Sequence, residues 1–125
     1  MDLEKATLAN GNFRQVLYTA KHSQLVLMAL APGEDIGEEV HELDQFIRVE
    51  AGQGKAVLNG VEYELKDGSA VVVPAGVKHN IINTSSEPLK LYTLYSPPEH
   101  KDGTVQVGKK EALAAHEHFD GVTSE

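Results

Sequence analysis

An all-β domain, closed as a sandwich or a barrel, is the fold class this chain of 125 residues predicts. Three observations carry it. Apolar runs rich in β-branched residues recur at FRQVLY, QLVLMAL, QFIRVE, KAVLNG, VEYEL, SAVVVP, HNIIN and LKLYTLY. Each is bounded by Gly, Pro, Asn or Asp, and helical periodicity is confined to the two ends. Short strands at this spacing imply a sandwich or closed barrel.

In chain order, LEKATLANG predicts a short helical turn closed by Asn10-Gly11, and the strand runs follow from Phe13. Asn59-Gly60 lies between KAVL and VEYEL. A two-residue turn there needs positive φ at both positions, which Asn and Gly tolerate, so it predicts a tight hairpin. Lys66-Asp67-Gly68, Pro74-Ala75-Gly76 and the stretch from Asn83 to Pro88 are further turns. The two prolines of SPPEHKDGTVQV predict an extended or looped segment leaving the barrel, and KKEALAAHEHF is rich in good helix formers. The expected organisation is one domain over residues 1–125, with a core barrel at about 13–98 and an extension at 99–125 carrying a helix.

Net charge is −8, from 19 acidic and 11 basic residues spread along the chain. That sign opposes a polyanion such as nucleic acid or an anionic membrane surface. No apolar window is long enough to span a bilayer, and MDLEKATLANG lacks the regions of a signal peptide, so a cytoplasmic protein is expected. The chain has no cysteine, which excludes thiolate metal sites and a cysteine nucleophile. Any metal must take nitrogen and oxygen donors.

Such donors recur at period two. In GSAVVVPAGVKHNIIN, His79, Ile81 and Asn83 share one strand face; upstream, Glu39, His41, Leu43 and Gln45 share one face if locally extended. Two strands carrying these groups inward converge on one point, as a small barrel needs for a metal site without cysteine. The spacing from Gly68 through Pro74, Gly76 and His79 to Asn83 resembles the second motif of the cupins at every defined position. The first cupin motif is Gly, five residues, His-x-His, three or four residues, Glu, six residues, Gly. Here Gly33, Glu39, His41, Gln45 and Gly52 keep that spacing, with Glu39 in place of the first His and Gln45 in place of the Glu. The 15 residues between Gly52 and Gly68 match small bacterial single-domain cupins.

The resemblance implies a jelly-roll β-barrel, a double-stranded β-helix, with a divalent metal inside on His41, His79, Glu39 and Gln45. One acid remains, moved from the fourth ligand position to the first. Zinc-dependent phosphomannose isomerases, also cupins, use a glutamine beside histidine and glutamate. Zn, Mn or Fe(II) suits such donors best, and Ni or Co also fit. Other readings stay open: Glu39 as a solvated part of the acidic loop, Gln45 as a group that only orients His41, and His79 as a core histidine bonded to backbone. His22 and His100 read as solvated loop histidines. His116 to His118 falls at a helix end, where positions two apart face different ways, and is set aside.

If the more apolar faces point inward, Gln24, Met28, Ile47, Ile81 and Thr93 line the cavity, with Tyr95 as a catalytic acid or a hydrogen-bond donor to substrate. Phe46 and Arg48 then face outward, suited to a sheet-to-sheet homodimer. Three functions fit: a metal-dependent isomerase of a sugar or sugar phosphate, like proteins labelled mannose-6-phosphate isomerase-like; an Fe(II)-dependent dioxygenase; or a binding module for a small molecule. A sugar phosphate wants a basic cradle, and Arg14, Lys21 and Arg48 form no evident one in the sequence.

Overall fold

The structure, a computed structural model, describes residues 1–115 and 117–125. Helix α1 (Leu3–Ala9) starts at Asp2, whose carboxylate accepts the Lys5 N–H at 3.0 Å, and stops at Asn10. Among the described residues nine strands follow: β1 (Arg14–Thr19), β2 (Gln24–Leu30), β3 (Asp44–Ala51), β4 (Gln53–Leu58), β5 (Val61–Lys66), β6 (Ala70–Val73), β7 (His79–Asn83), β8 (Leu89–Ser96) and β9 (Val105–Gln106). Helix α2 (Lys109–Ala115) comes last.

All pairings are antiparallel, in two sheets ordered β6-β3-β8-β2-β1-β9 and β5-β4-β7. The expected hairpin joins β4 to β5, with Asn59 at φ 48 and Gly60 at φ 82. The segment before β3 extends the smaller sheet. Residues Asp35 and Glu39 bridge to Ile82 and His79 on the free edge of β7, with the Ile36 N–H donating to the Ile81 carbonyl at 2.9 Å.

Alternation puts the apolar set between the sheets. On β8, Leu89, Leu91, Thr93 and Tyr95 are buried, and on β7, His79, Ile81 and Asn83 are buried. Met28, Val26, Leu30, Ile47, Val49, Ala56 and Leu65 complete the layer. This two-sheet jelly roll is the fold class read from the sequence. Gly52, last residue of the first spaced motif, has φ 91 and passes so close to Pro88 that a Cβ would overlap its carbonyl oxygen.

The C-terminal part departs from the expectation. Instead of leaving the barrel, Val105 and Gln106 pair with Gln15 and Arg14 at the edge of β1. Helix α2 ends at Ala115, short of the expected stretch, and Glu117 is non-helical. His116 lies outside the described residues.

Candidate metal centre

Glu39 and His79 form a bridge in which each backbone N–H donates to the other's carbonyl, at 2.8 and 2.9 Å. Directly opposed residues of an antiparallel pair point their side chains to the same face. His41, two residues past Glu39, returns to that face, and its carbonyl accepts the Gly76 N–H at 2.7 Å, tying it to the Pro-x-Gly turn before β7. One donor atom from each of Glu39, His41 and His79 then lies within 4.8 Å of the others.

The protonation pattern suits a cation. His79 Nδ1 donates to the Val77 carbonyl at 2.9 Å, which leaves the Nε2 lone pair free. His41 Nε2 stands 3.2 Å from Glu39 Oε2, and the two imidazole rings are 5.0 Å apart. Burial works against the charge on Glu39, but the hydrogen bond to His41 and the charges of His41, Arg14 and His79 hold its carboxyl below the usual value. The same hydrogen bond raises the His41 pKa against a burial that lowers it. A metal ion between these groups would replace that shared proton.

Gln45, on β3, lies opposite Val73 on β6 and Tyr95 on β8. Its Nε2 donates to Thr93 Oγ1 at 3.0 Å, while its buried Oε1 has no partner among the described residues. A buried acceptor left free is costly unless something occupies it, which fits a fourth donor or a group bonded to a metal-held water. Tyr95 stacks edge-on between His41 and His100, at centroid distances of 6.1 and 5.2 Å. Burial raises its phenol pKa strongly, so it remains protonated near neutrality and serves better as a hydrogen-bond donor than as an acid.

The other expected lining residues lie elsewhere. Met28, Ile47 and Ile81 belong to the hydrophobic core, and Thr93 is wholly buried against Gln45. The Gln24 amide is saturated: its Nε2 donates to Thr19 Oγ1 and the His100 carbonyl, and its Oε1 accepts the Glu99 and His100 N–H groups. It clamps the loop after β8.

Glu39 opens instead onto a cavity of about 320 Å³ at the barrel mouth, whose walls include Arg14, His100, Lys109 and Glu117. His100, expected as a solvated loop histidine, is buried, with Nδ1 2.6 Å from Glu117 Oε1 and Nε2 without a partner among the described residues. Sequence reasoning missed this wall. Arg14 was findable, because it shares strand parity with the inward Val16; His100 and Glu117 meet through loops that carry no periodic signal. A larger concavity of about 760 Å³ lies on the outer side of β4 and β5, where Lys55 and Glu62 pair with each other, and has none of these donors.

Comparison with known proteins agrees with this architecture. The cupin domain family matches residues 26–95. An uncharacterized protein of Bacillus subtilis, YrkC, is 46% identical over 124 residues, covering 94% of this chain and 67% of its own length. The uncharacterized protein L612 of Acanthamoeba polyphaga mimivirus is 41% identical, covering 90% of this chain and 73% of its own. The crystal structure of BH2720 from Bacillus halodurans superposes with a TM-score of 0.91 at 43% identity, over 92% of each chain. Two spaced motifs, a two-sheet jelly roll and a His/Glu cluster at the strand edge thus have one source: the chain belongs to the cupin family.

Proposed function

We propose that this cupin holds one divalent metal on Glu39, His41 and His79, with Gln45 as a further oxygen donor, and uses it to act on a small polar molecule in the cavity at the barrel mouth. The observation that carries the reading is the convergence of two imidazoles and one carboxylate within 4.8 Å, with the carboxylate, Glu39, on the wall of an opening to solvent. A bound metal would supply an open coordination position for substrate and polarise or activate what binds there. The protein's own contribution is orientation: Val77 fixes the His79 tautomer, and Tyr95 offers a protonated hydroxyl beside His41.

Two histidines and one carboxylate with open positions are the donor set of non-haem Fe(II) oxygenases, so oxygen-dependent chemistry on Fe(II) is the favoured reaction class. The second reading, isomerisation of a sugar-type carbonyl on Zn or Mn, draws support from Gln45, since an amide donor suits those metals. A sugar phosphate is the poorer substrate, because Arg14 is the one arginine on the cavity wall and Lys109 is already paired with Asp35. Metal analysis of protein purified without added metal, followed by oxygen-uptake screening of the Fe(II)-loaded form, separates the two readings. Iron and oxygen uptake support the first; zinc or manganese with turnover under nitrogen supports the second. Ligand binding that survives complete chelation, with no turnover, would point to a binding module.

We also propose a homodimer through the outer face of β3, β6 and β8, where Phe46 packs 6.3 Å from Tyr92 and beside the exposed Val72. Light scattering should return twice the chain mass, falling to the monomer in Phe46→Glu. A monomeric wild type would remove this proposal.

A further inference from the structure

Arg14 is 92% buried by its 8% exposure, a rare state for arginine outside an ion pair. Among the described residues its guanidinium forms no ion pair with a carboxylate. Nη1 donates to Gln106 Oε1 at 2.7 Å, a neutral acceptor, and Nε is buried without a partner. The Phe13 ring lies 5.3 Å from the guanidinium carbon. The acids around the same cavity are engaged elsewhere. Asp35 pairs with Lys109, Glu117 accepts from His100 and the Lys101 N–H, Glu99 faces His118 at 3.7 Å, and Glu39 sits with His41.

Glu39 and Glu117 act on Arg14 only through space, and Glu39 would be taken up by a metal, so no carboxylate satisfies the guanidinium directly. Its unfilled donors invite an anion. A single planar guanidinium matches a carboxylate in two parallel hydrogen bonds, whereas a phosphate dianion calls for several cationic groups. A cavity of about 320 Å³ sets the size at a few carbons.

We propose that Arg14 is the anion-recognition residue of this cavity, taking the carboxylate of a small substrate whose other end reaches the metal centre. This rests on the metal reading for the substrate's far end, while the Arg14 subsite itself stands without it. The cation comes from β1, and its Gln106 support comes from β9, so the C-terminal extension completes the subsite that the barrel alone leaves open.

The chain has two arginines, Arg14 and Arg48, so their Nε–Hε resonances are separable, and loss of one peak in Arg14→Gln assigns both. Zinc-loaded, nitrogen-labelled protein would be titrated with acetate and lactate, and with their neutral counterparts acetamide and lactamide. The proposal expects a saturable shift of the Arg14 peak with a carboxylate and none with its amide. It also expects carboxylate affinity, followed at the Glu39 and His79 backbone amides, to weaken about thirtyfold or more in Arg14→Gln. An Arg14 peak unmoved by both carboxylates, an equal response to the amides, or unchanged affinity in Arg14→Gln would overturn it. Thermal unfolding of Arg14→Gln checks its fold, and the wild-type titration decides the matter if that variant fails to fold. Zinc content measured on the same sample isolates the metal reading: protein that retains no zinc fails that reading alone, and the Arg14 peak still reports on the subsite.

Discussion

The hydrogen bond from His79 Nδ1 to the Val77 carbonyl commits that nitrogen to the backbone, so Nε2 is the ring nitrogen left to meet Glu39 and His41. Asn83, the last residue of that motif, does the opposite. Its Nδ2 lies 2.8–3.1 Å from the carbonyls of Leu30, Ala31 and Glu87, and its Oδ1 accepts from the Ser85 N–H and hydroxyl. It is a structural clamp between β2, β7 and the turn before β8. Asn83→Ala should therefore destabilise the fold by about 2–3 kcal/mol in urea unfolding, since it strands the buried Leu30 carbonyl and loosens the half-buried contacts to Ala31 and Glu87. Metal-loaded Asn83→Ala should still bind one metal per chain. Tyr95→Phe tests the reverse: stability within about 1 kcal/mol of wild type and full metal content, with turnover lost if the hydroxyl positions substrate. Loss of metal in Tyr95→Phe would mean that the phenol supports the donors themselves.

Two elements shape the site: the edge formed by residues 34–39 against β7, which brings Glu39 to His79, and the extension that returns as β9, which supports Arg14. The first was legible. Glu39, His41 and His79 follow from motif spacing and period two, and the Asn59-Gly60 hairpin follows from the demand for positive φ. The lining set was not legible, because parity alone separates inside from outside. It cannot tell the packed middle of the barrel, where Met28, Ile47 and Ile81 lie, from its open mouth, where Arg14 lies. His100, in the loop that Gln24 pins after β8, meets Glu117 through a long-range contact with no local signature.

At the β4–β7 contact, Gly54→Ala should cost about 1–3 kcal/mol, because its Cβ would overlap the Ile82 carbonyl, a backbone atom that cannot rotate away. In the extension, burial raises the Glu117 pKa, but hydrogen bonds from His100 and the Lys101 N–H, with the charges of His100 and Arg14, hold it below the ordinary value of 4.5. A carboxyl with a depressed folded pKa contributes stability that is complete above its unfolded value and is lost as pH falls through its folded one. The Lys101 amide resonance should accordingly titrate with a midpoint below 4.5, and the transition should vanish in Glu117→Gln. A midpoint at or above 4.5 would show that the loop contact does not hold the charge.

Over the whole molecule, the barrel supplies rigidity and the ends supply chemistry. The Glu39, His41 and His79 cluster sits along the edge of β7, α1 caps the chain's start, and α2 with Glu117 and His118 walls the opening. Among the described residues no helix is long and apolar enough to cross a membrane. Because Glu39 and His41 meet His79 only when residues 34–39 pair with the edge of β7, the cluster forms on folding, and a metal bound there would stabilise the folded state. Metal at a hundredfold excess over its dissociation constant should add about 2.7 kcal/mol, read as a rise in unfolding midpoint that chelation reverses. The most direct test of the central claim is the metal content of untagged protein purified without added metal, compared with His79→Ala and Glu39→Ala of verified fold. The account predicts about one metal per wild-type chain and strong loss in both variants. Wild-type protein that takes up no metal under any loading condition, or a Glu39→Ala variant that keeps its full complement, would contradict it.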